Sequence, residues 1–296
     1  MNIVEGTMPY RGFATYYRLV QPDVPQNDKA PLVLLHGGPG STHNYFEVLD
    51  ELADADGRTL VMYDQLGCGG SYVEGHDELW TYKTWDEELI ALREHLGLAQ
   101  CHLLGQSWGG MLALEYLLNY QPAGILSVVL SSTLSSCALW GAEQHRRLRY
   151  LSASEQAAVA AAEASGTYDD PAFRAAEAHF MELFCASPVS DCSPACLRRP
   201  KRAGRASYLA TQGDNELSPT GIFRTWDYTN RLHEIEQPAL IISGTQDLCS
   251  PLVAKTMYDR IPHAHWELMS DCRHMCFVDD TPHYLQLLTE WLNTHD

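Results

Sequence analysis

Apolar residues in this chain fall into short continuous runs, separated by stretches where they recur every three or four positions. Residues 15–20, 32–35, 59–63, 101–104, 128–130, 239–243 and 265–269 read as strands. The runs LVLL at 32–35 and TLVMY at 59–63 are apolar enough to be buried on both faces, as in a parallel sheet covered by helices. Residues 84–96 are amphipathic, with Trp85, Leu89 and Leu92 near helical spacing, and residues 111–120, 251–261 and 284–292 also read as helices. Strand and helix thus alternate, the pattern of an α/β fold with a mostly parallel central sheet.

The alternation lapses after residue 133 and resumes at Pro238. Residues 134–230 are rich in Ala, Glu and Arg, include the strong helix former EQAAVAAAEA, and hold no convincing buried strand. The expectation is a core in two parts, 1–133 and 231–296, with an inserted helical cap at 134–230. The 296 residues suit one large domain with such an insertion.

Twenty basic residues against 38 acidic ones give a net charge of −18. That sign opposes nucleic acid and anionic membrane as partners, and is compatible with a cationic substrate. No basic segment followed by an apolar stretch opens the chain, so no signal peptide is read there. The apolar runs fall short of the roughly 20 residues that span a bilayer. Nine scattered cysteines fit reduced thiols in a cytoplasm better than a disulfide framework.

Candidate chemistry centres on Gly105-Gln106-Ser107-Trp108-Gly109, a G-x-S-x-G pattern directly after one predicted strand and directly before a helix. In that setting the serine sits on a tight turn with its hydroxyl exposed above the sheet edge. A serine hydroxyl needs a base to take its proton, and the base needs an orienting acid. Asp247 follows the strand at 239–243, and His274 follows the strand at 265–269. Their order, serine then acid then histidine, suits this strand–turn–helix nucleophile. Two backbone N–H groups are expected to hold the developing oxyanion: that of Trp108, and one from His36-Gly37-Gly38-Pro39-Gly40. Gly38 is favoured for the second, with Gly37 next and also placed against the substrate.

HGGPG at 36–40, DQLGCGGS at 64–71 and GQSWGG at 105–110 resemble the proline iminopeptidases, serine aminopeptidases of the α/β-hydrolase fold. The resemblance runs through nearly the whole chain and is strongest to bacterial members. It implies release of an N-terminal residue, often proline, from small peptides. It implies a helical cap whose glutamate recognises the free α-amine. Gly213-Asp214-Asn215-Glu216 is similar to the glutamate-bearing motif, which makes Glu216 the amine-binding residue and puts Tyr208 near the substrate. Two positions depart from the pattern. Some relatives carry a second glutamate directly after the catalytic aspartate, where this chain has Leu248, and many read DQRG where this chain has Leu66.

No cofactor is called for, and neither a phosphate loop nor a dinucleotide fingerprint occurs. Cys185, Cys192 and Cys196, and Cys272 and Cys276 around His274, match no closed four-ligand zinc spacing, so no metal is expected. The basic run Arg198, Arg199, Lys201, Arg202 and Arg205 reads as a solvated cap loop. Three other readings share the motifs: an amino-acid amidase of the prolinamide type, a small carboxylesterase, and a non-catalytic ligand-binding relative. The serine at the elbow disfavours an aspartate-nucleophile hydrolase. Oligomeric state is not legible in the sequence.

Overall fold

A computed structural model describes residues 1–26 and 28–296. Its strands are β1 (Asn2–Tyr10), β2 (Phe13–Gln21), β3 (Leu32–Leu35), β4 (Leu60–Tyr63), β5 (Cys101–Gln106), β6 (Ile125–Ser131), β7 (Ala239–Gly244) and β8 (Ala264–Met269). They form one eight-stranded sheet in the order β1-β2-β4-β3-β5-β6-β7-β8. The pairs β1–β2 and β2–β4 are antiparallel, and all pairs from β4 to β8 are parallel.

The short apolar strands divide two cores between them. Val33, Leu35, Val61, Tyr63 and Leu103 pack on one face, whereas Leu32, Leu34, Leu60, Met62 and Leu104 pack on the other. Side chains of a strand alternate between faces, so a run with no polar member fits only where both faces are covered. Helices α1 (Leu52–Asp56), α2 (Tyr82–His95), α3 (Trp108–Tyr120), α4 (Cys137–Arg147), α5 (Ala153–Ser165), α6 (Pro171–Phe184), α7 (Ala195–Arg198), α8 (Arg205–Thr211), α9 (Pro251–Tyr258), α10 (Cys276–Asp279) and α11 (Thr281–His295) complete the chain. Trp85, Leu89 and Leu92 on α2 and Met111, Leu112 and Leu114 on α3 enter the first core, and Tyr284, Leu288 and Leu292 on α11 enter the second. Between β6 and β7 the described residues form α4 to α8 and no named strand.

β1 is the strand that the apolar pattern does not announce. It lies at the sheet edge with most of its first residues exposed, so its pairing is carried by backbone bonds to β2 and not by an apolar face.

Helix α2 also buries two acids. Asp86 is 2 % exposed, and its Oδ1 has no hydrogen-bond partner among the described residues. Burial, reinforced by Glu115 and Glu87, raises its pKa from 3.8 to about 8. Glu88 accepts from the Leu66 N–H and the Thr15 hydroxyl, yet burial still raises its pKa to about 8. Both acids therefore hold protons in the folded chain that they release when unfolded at neutral pH. Their contribution to stability is complete below their unfolded pKa and is lost as pH rises towards about 8. Asp86→Asn should flatten the loss of thermal stability between pH 5 and 9, gaining about 1–3 kcal/mol at the alkaline end. A fall as steep as the parent's in thermal scans across that range would contradict this.

Candidate active site

Ser107 lies between β5 and α3 with φ 55° and ψ −122°, a backbone conformation that L residues rarely adopt. Such strain costs on the order of 1–3 kcal/mol and persists only where surrounding structure enforces it. Here the Ser107 N–H donates to Ser131 O at 3.0 Å, and the Thr133 hydroxyl donates to Ser107 O at 2.7 Å. The flanking glycines are a steric requirement. A Cβ on Gly109 would lie 1.8 Å from Leu35 O, and one on Gly105 would lie 2.3 Å from Gly109 O.

Asp247 and His274 arrive on the loops after β7 and β8, at the same end of the sheet as Ser107. His274 Nδ1 meets Asp247 Oδ1 at 2.8 Å. The carboxylate is fully buried, and it also accepts from the Cys249 N–H at 2.8 Å and the Gly244 N–H at 3.3 Å. Held by these donors, it orients the imidazole with Nδ1–H as donor and leaves Nε2 free to accept. Ser107 and His274 line one cavity of about 860 Å³. Among the described residues, no hydrogen bond joins the Ser107 hydroxyl to His274, a contact that commonly tightens only when substrate is bound.

Side chains from several elements hold the Gly-rich loop. The Gly37 N–H donates to the Tyr45 hydroxyl, and His36 Nδ1 meets Gly37 O at 2.8 Å. Both backbone groups of Gly37 are thus engaged, which removes it as an oxyanion donor and leaves it as a wall of the cavity. The Gly38 N–H has no partner among the described residues, and Trp108 opens α3, where a backbone N–H has no acceptor within the helix. The Tyr45 hydroxyl donates in turn to Gln106 Oε1 at 2.9 Å, and Gln106 Nε2 donates to His274 O at 3.3 Å. One relay therefore links the Gly-rich loop, the elbow and the histidine loop. A second passes from Trp108 Nε1 to Gln65 Oε1 at 2.7 Å, and from Gln65 Nε2 to His36 O at 2.9 Å.

The aspartate loop is clamped from α4. Gln144 Nε2 donates to Leu248 O at 2.8 Å, the Ser250 hydroxyl donates to Glu143 at 2.6 Å, and the Arg147 guanidinium donates to Asp247 O. No local pattern announces these contacts, because each joins residues about a hundred positions apart.

Comparison with known proteins decides the family. The α/β hydrolase fold model matches residues 30–281. A proline iminopeptidase of Clostridioides difficile (strain 630) is 55 % identical over 296 residues, covering 100 % of both chains. One from Lactobacillus helveticus is 53 % identical over 297 residues, again covering 100 % of both. The crystal structure of a proline iminopeptidase from Mycobacterium smegmatis matches with TM-score 0.87 at 30 % identity, covering 99 % of this chain and 98 % of that one. The chain belongs to the proline iminopeptidase family.

Within this proline iminopeptidase fold, Glu216 and Tyr208 line the same cavity as Ser107. The Glu216 N–H donates to Glu177 Oε1 at 2.8 Å, and Glu177 pairs with Arg174 at 2.8 Å, which fixes the backbone that carries the glutamate. Burial raises the Glu216 carboxyl pKa above its ordinary value, against the nearby Tyr208 hydroxyl, which lowers it. That hydroxyl is buried near the carboxylate but makes no hydrogen bond of good geometry. Leu248 adds an apolar wall directly after Asp247. Leu66 is buried too, and Asp64 is instead satisfied by the His43 N–H at 2.9 Å, His43 Nδ1 at 2.7 Å and the Gly70 N–H at 2.8 Å.

Two buried groups, His36/Asp64/Cys68 and Asp247/Cys249/His274, each bring three ligand-type atoms within 4.8 Å. Internal hydrogen bonds already occupy them: His274 with Asp247, His36 with Gly37 O and the Gln65 N–H, and Asp64 with His43. All nine cysteines are unpaired. No helix of the described residues is long and apolar enough to cross a membrane.

Proposed function

We propose that this chain is a serine aminopeptidase that releases an N-terminal residue, proline foremost, from short peptides or amides through an acyl-enzyme. The observation that carries the reading is the buried His274–Asp247 pair, 2.8 Å apart, whose histidine shares one cavity with strained Ser107 and with Glu216. In this reading His274 Nε2 takes the Ser107 proton as the hydroxyl oxygen attacks the scissile carbonyl. The N–H groups of Gly38 and Trp108 receive the oxyanion, each contributing ~3–4 kcal/mol to the transition state. His274 then gives the proton to the leaving amine, while Asp247 stabilises the imidazolium. Water, deprotonated by the same histidine, attacks the ester and frees the amino acid.

The Glu216 carboxylate pairs with the substrate ammonium and fixes the distance from amine to carbonyl at one residue. Segment 134–230 acts as the cap that carries this acid over the serine. Leu248, Phe223 and Trp140 line the cavity with apolar surface suited to a pyrrolidine ring. No cofactor takes part.

The amidase and esterase readings use the same machinery and differ in leaving group. Turnover of a prolyl arylamide, a prolyl dipeptide, prolinamide and an N-blocked proline ester separates them. Arylamide and dipeptide should be the better substrates by kcat/KM. Prolinamide ahead of the dipeptide would favour the amidase, and the blocked ester ahead of both would favour the esterase.

A further inference from the structure

Positive charge is scarce in a chain with 20 basic and 38 acidic residues, yet four basic residues line the catalytic cavity. Arg199, Lys201, Arg205 and Arg273 all line it. Two of these are neutralised: Arg199 pairs with Glu47 at 2.7 Å, and Arg273 with Asp279 at 2.7 Å. Lys201 and Arg205 have no carboxylate partner among the described residues. The Lys201 ammonium donates to the Ser41 hydroxyl at 3.2 Å, three residues beyond Gly38, and Arg205 opens α8 one turn before Tyr208.

The segment that carries both cations is fixed to the Gly-rich loop. The Gly204 N–H donates to Gly40 O at 2.8 Å, and the Gly69 N–H donates to Arg202 O at 2.8 Å. The two backbones touch so closely that a Cβ on Gly40 would lie 2.4 Å from Gly204 O. Arg202 lies over the Tyr72 ring at 3.3 Å. The position of Lys201 relative to Gly38 is therefore set by the fold and not by a free loop.

A substrate whose amine sits at Glu216 and whose scissile carbonyl sits at Ser107 must send its leaving group elsewhere in the cavity. One residue extends at most about 3.6 Å. A leaving group of one or two residues therefore reaches only about 4–7 Å past the scissile bond, within reach of the cavity lining to which Lys201 and Arg205 belong.

We propose that Lys201, with Arg205 in the same lining, binds the C-terminal carboxylate of the leaving group, so that the enzyme prefers di- and tripeptides with a free C-terminus over amides and long chains. The proposal rests on the aminopeptidase reading and adds the class of leaving group. An ammonium held by one hydroxyl keeps two N–H donors for a carboxylate; Lys201 and Arg205 are both exposed at the cavity lining, so the pair contributes on the scale of an exposed ion pair. The acidic remainder of the surface repels anionic peptides elsewhere, which makes this lining the favoured place for a carboxylate.

The test is the ratio of kcat/KM for Pro-Gly to that for Pro-Gly-NH2, in the parent chain and in Lys201→Gln and Arg205→Gln. The parent ratio should be about two- to fivefold in favour of the free acid at low salt, and should approach one in Lys201→Gln. In the parent alone, raising salt from 20 to 500 mM should compress the ratio, a readout that does not depend on how well a variant folds. A parent ratio near one would overturn the proposal, as would a ratio unchanged by Lys201→Gln. Prolyl arylamide turnover is measured alongside. Its absence would remove the aminopeptidase reading itself, whereas its presence with a ratio near one would remove only the carboxylate site.

Discussion

Ser107→Ala is expected to lower kcat for a prolyl arylamide by roughly 10⁴- to 10⁶-fold, and to abolish labelling by a fluorophosphonate probe. The size follows from the division of labour in the site. Glu216, Gly38 and Trp108 would still bind and polarise the substrate, but no oxygen would stand at the elbow to form the acyl-enzyme. The backbone should be little disturbed. The Ser107 side chain makes no hydrogen bond among the described residues, and the Ser131 and Thr133 contacts that hold the turn use its main chain. The loss should therefore appear in kcat with the thermal midpoint close to the parent's. Retention of more than about 1 % of the parent kcat, measured on protein shown by mass to carry the substitution, would remove Ser107 as the nucleophile.

Glu216→Gln is expected to reduce kcat/KM for free-amine substrates by about 10²-fold, mostly through KM. Glutamine preserves the shape, so Leu248 and Tyr208 keep their neighbours. It removes the charge that a buried ammonium needs, and Leu248 offers no second acid at that wall. A pH signature accompanies the loss. Burial raises the Glu216 carboxyl pKa above its ordinary value, so the free enzyme gains its charged form only above the usual carboxylate range. The acid limb of the kcat/KM profile should lie correspondingly high in the parent, and this component should vanish in the variant. An unchanged KM together with an unchanged acid limb would show that another group receives the amine.

The parts of this site that are legible in the sequence are those enforced over a few residues. Gly105 is required because a Cβ would strike Gly109 O within the same turn, Gly109 is required because a Cβ would strike Leu35 O at the end of β3, and the strands around Ser107 are apolar because both sheet faces are covered. Strands β2 to β8 follow from this pattern. β1 does not, because an edge strand can pair through its backbone with little apolar surface. The Tyr45–Gln106 relay and the clamp from Gln144 and Arg147 leave no local trace. Apart from the Tyr45–Gln106 bond itself, their partners are main-chain atoms brought near by the fold, and a tyrosine, glutamine or arginine in those positions reads as an ordinary surface or core residue. The same limit applies to Gly37: HGGPG offers its peptide N–H as a donor, and the group that occupies it is the Tyr45 hydroxyl, eight residues on. The basic run at 198–205 also reads differently in three dimensions. Arg199 and Arg202 are satisfied by Glu47 and Tyr72, so that Lys201 and Arg205 alone are left facing the cavity without an acid.

The central claim is that the nucleophile acts on a carbonyl one residue from a free amine. The ratio of kcat/KM for L-proline p-nitroanilide to that for its N-acetyl derivative tests it directly in the parent chain. The account predicts a ratio of at least about 10², since acetylation removes the ammonium that Glu216 pairs with and adds bulk against it. Equal turnover of the two, or preference for the acetylated compound, would contradict it.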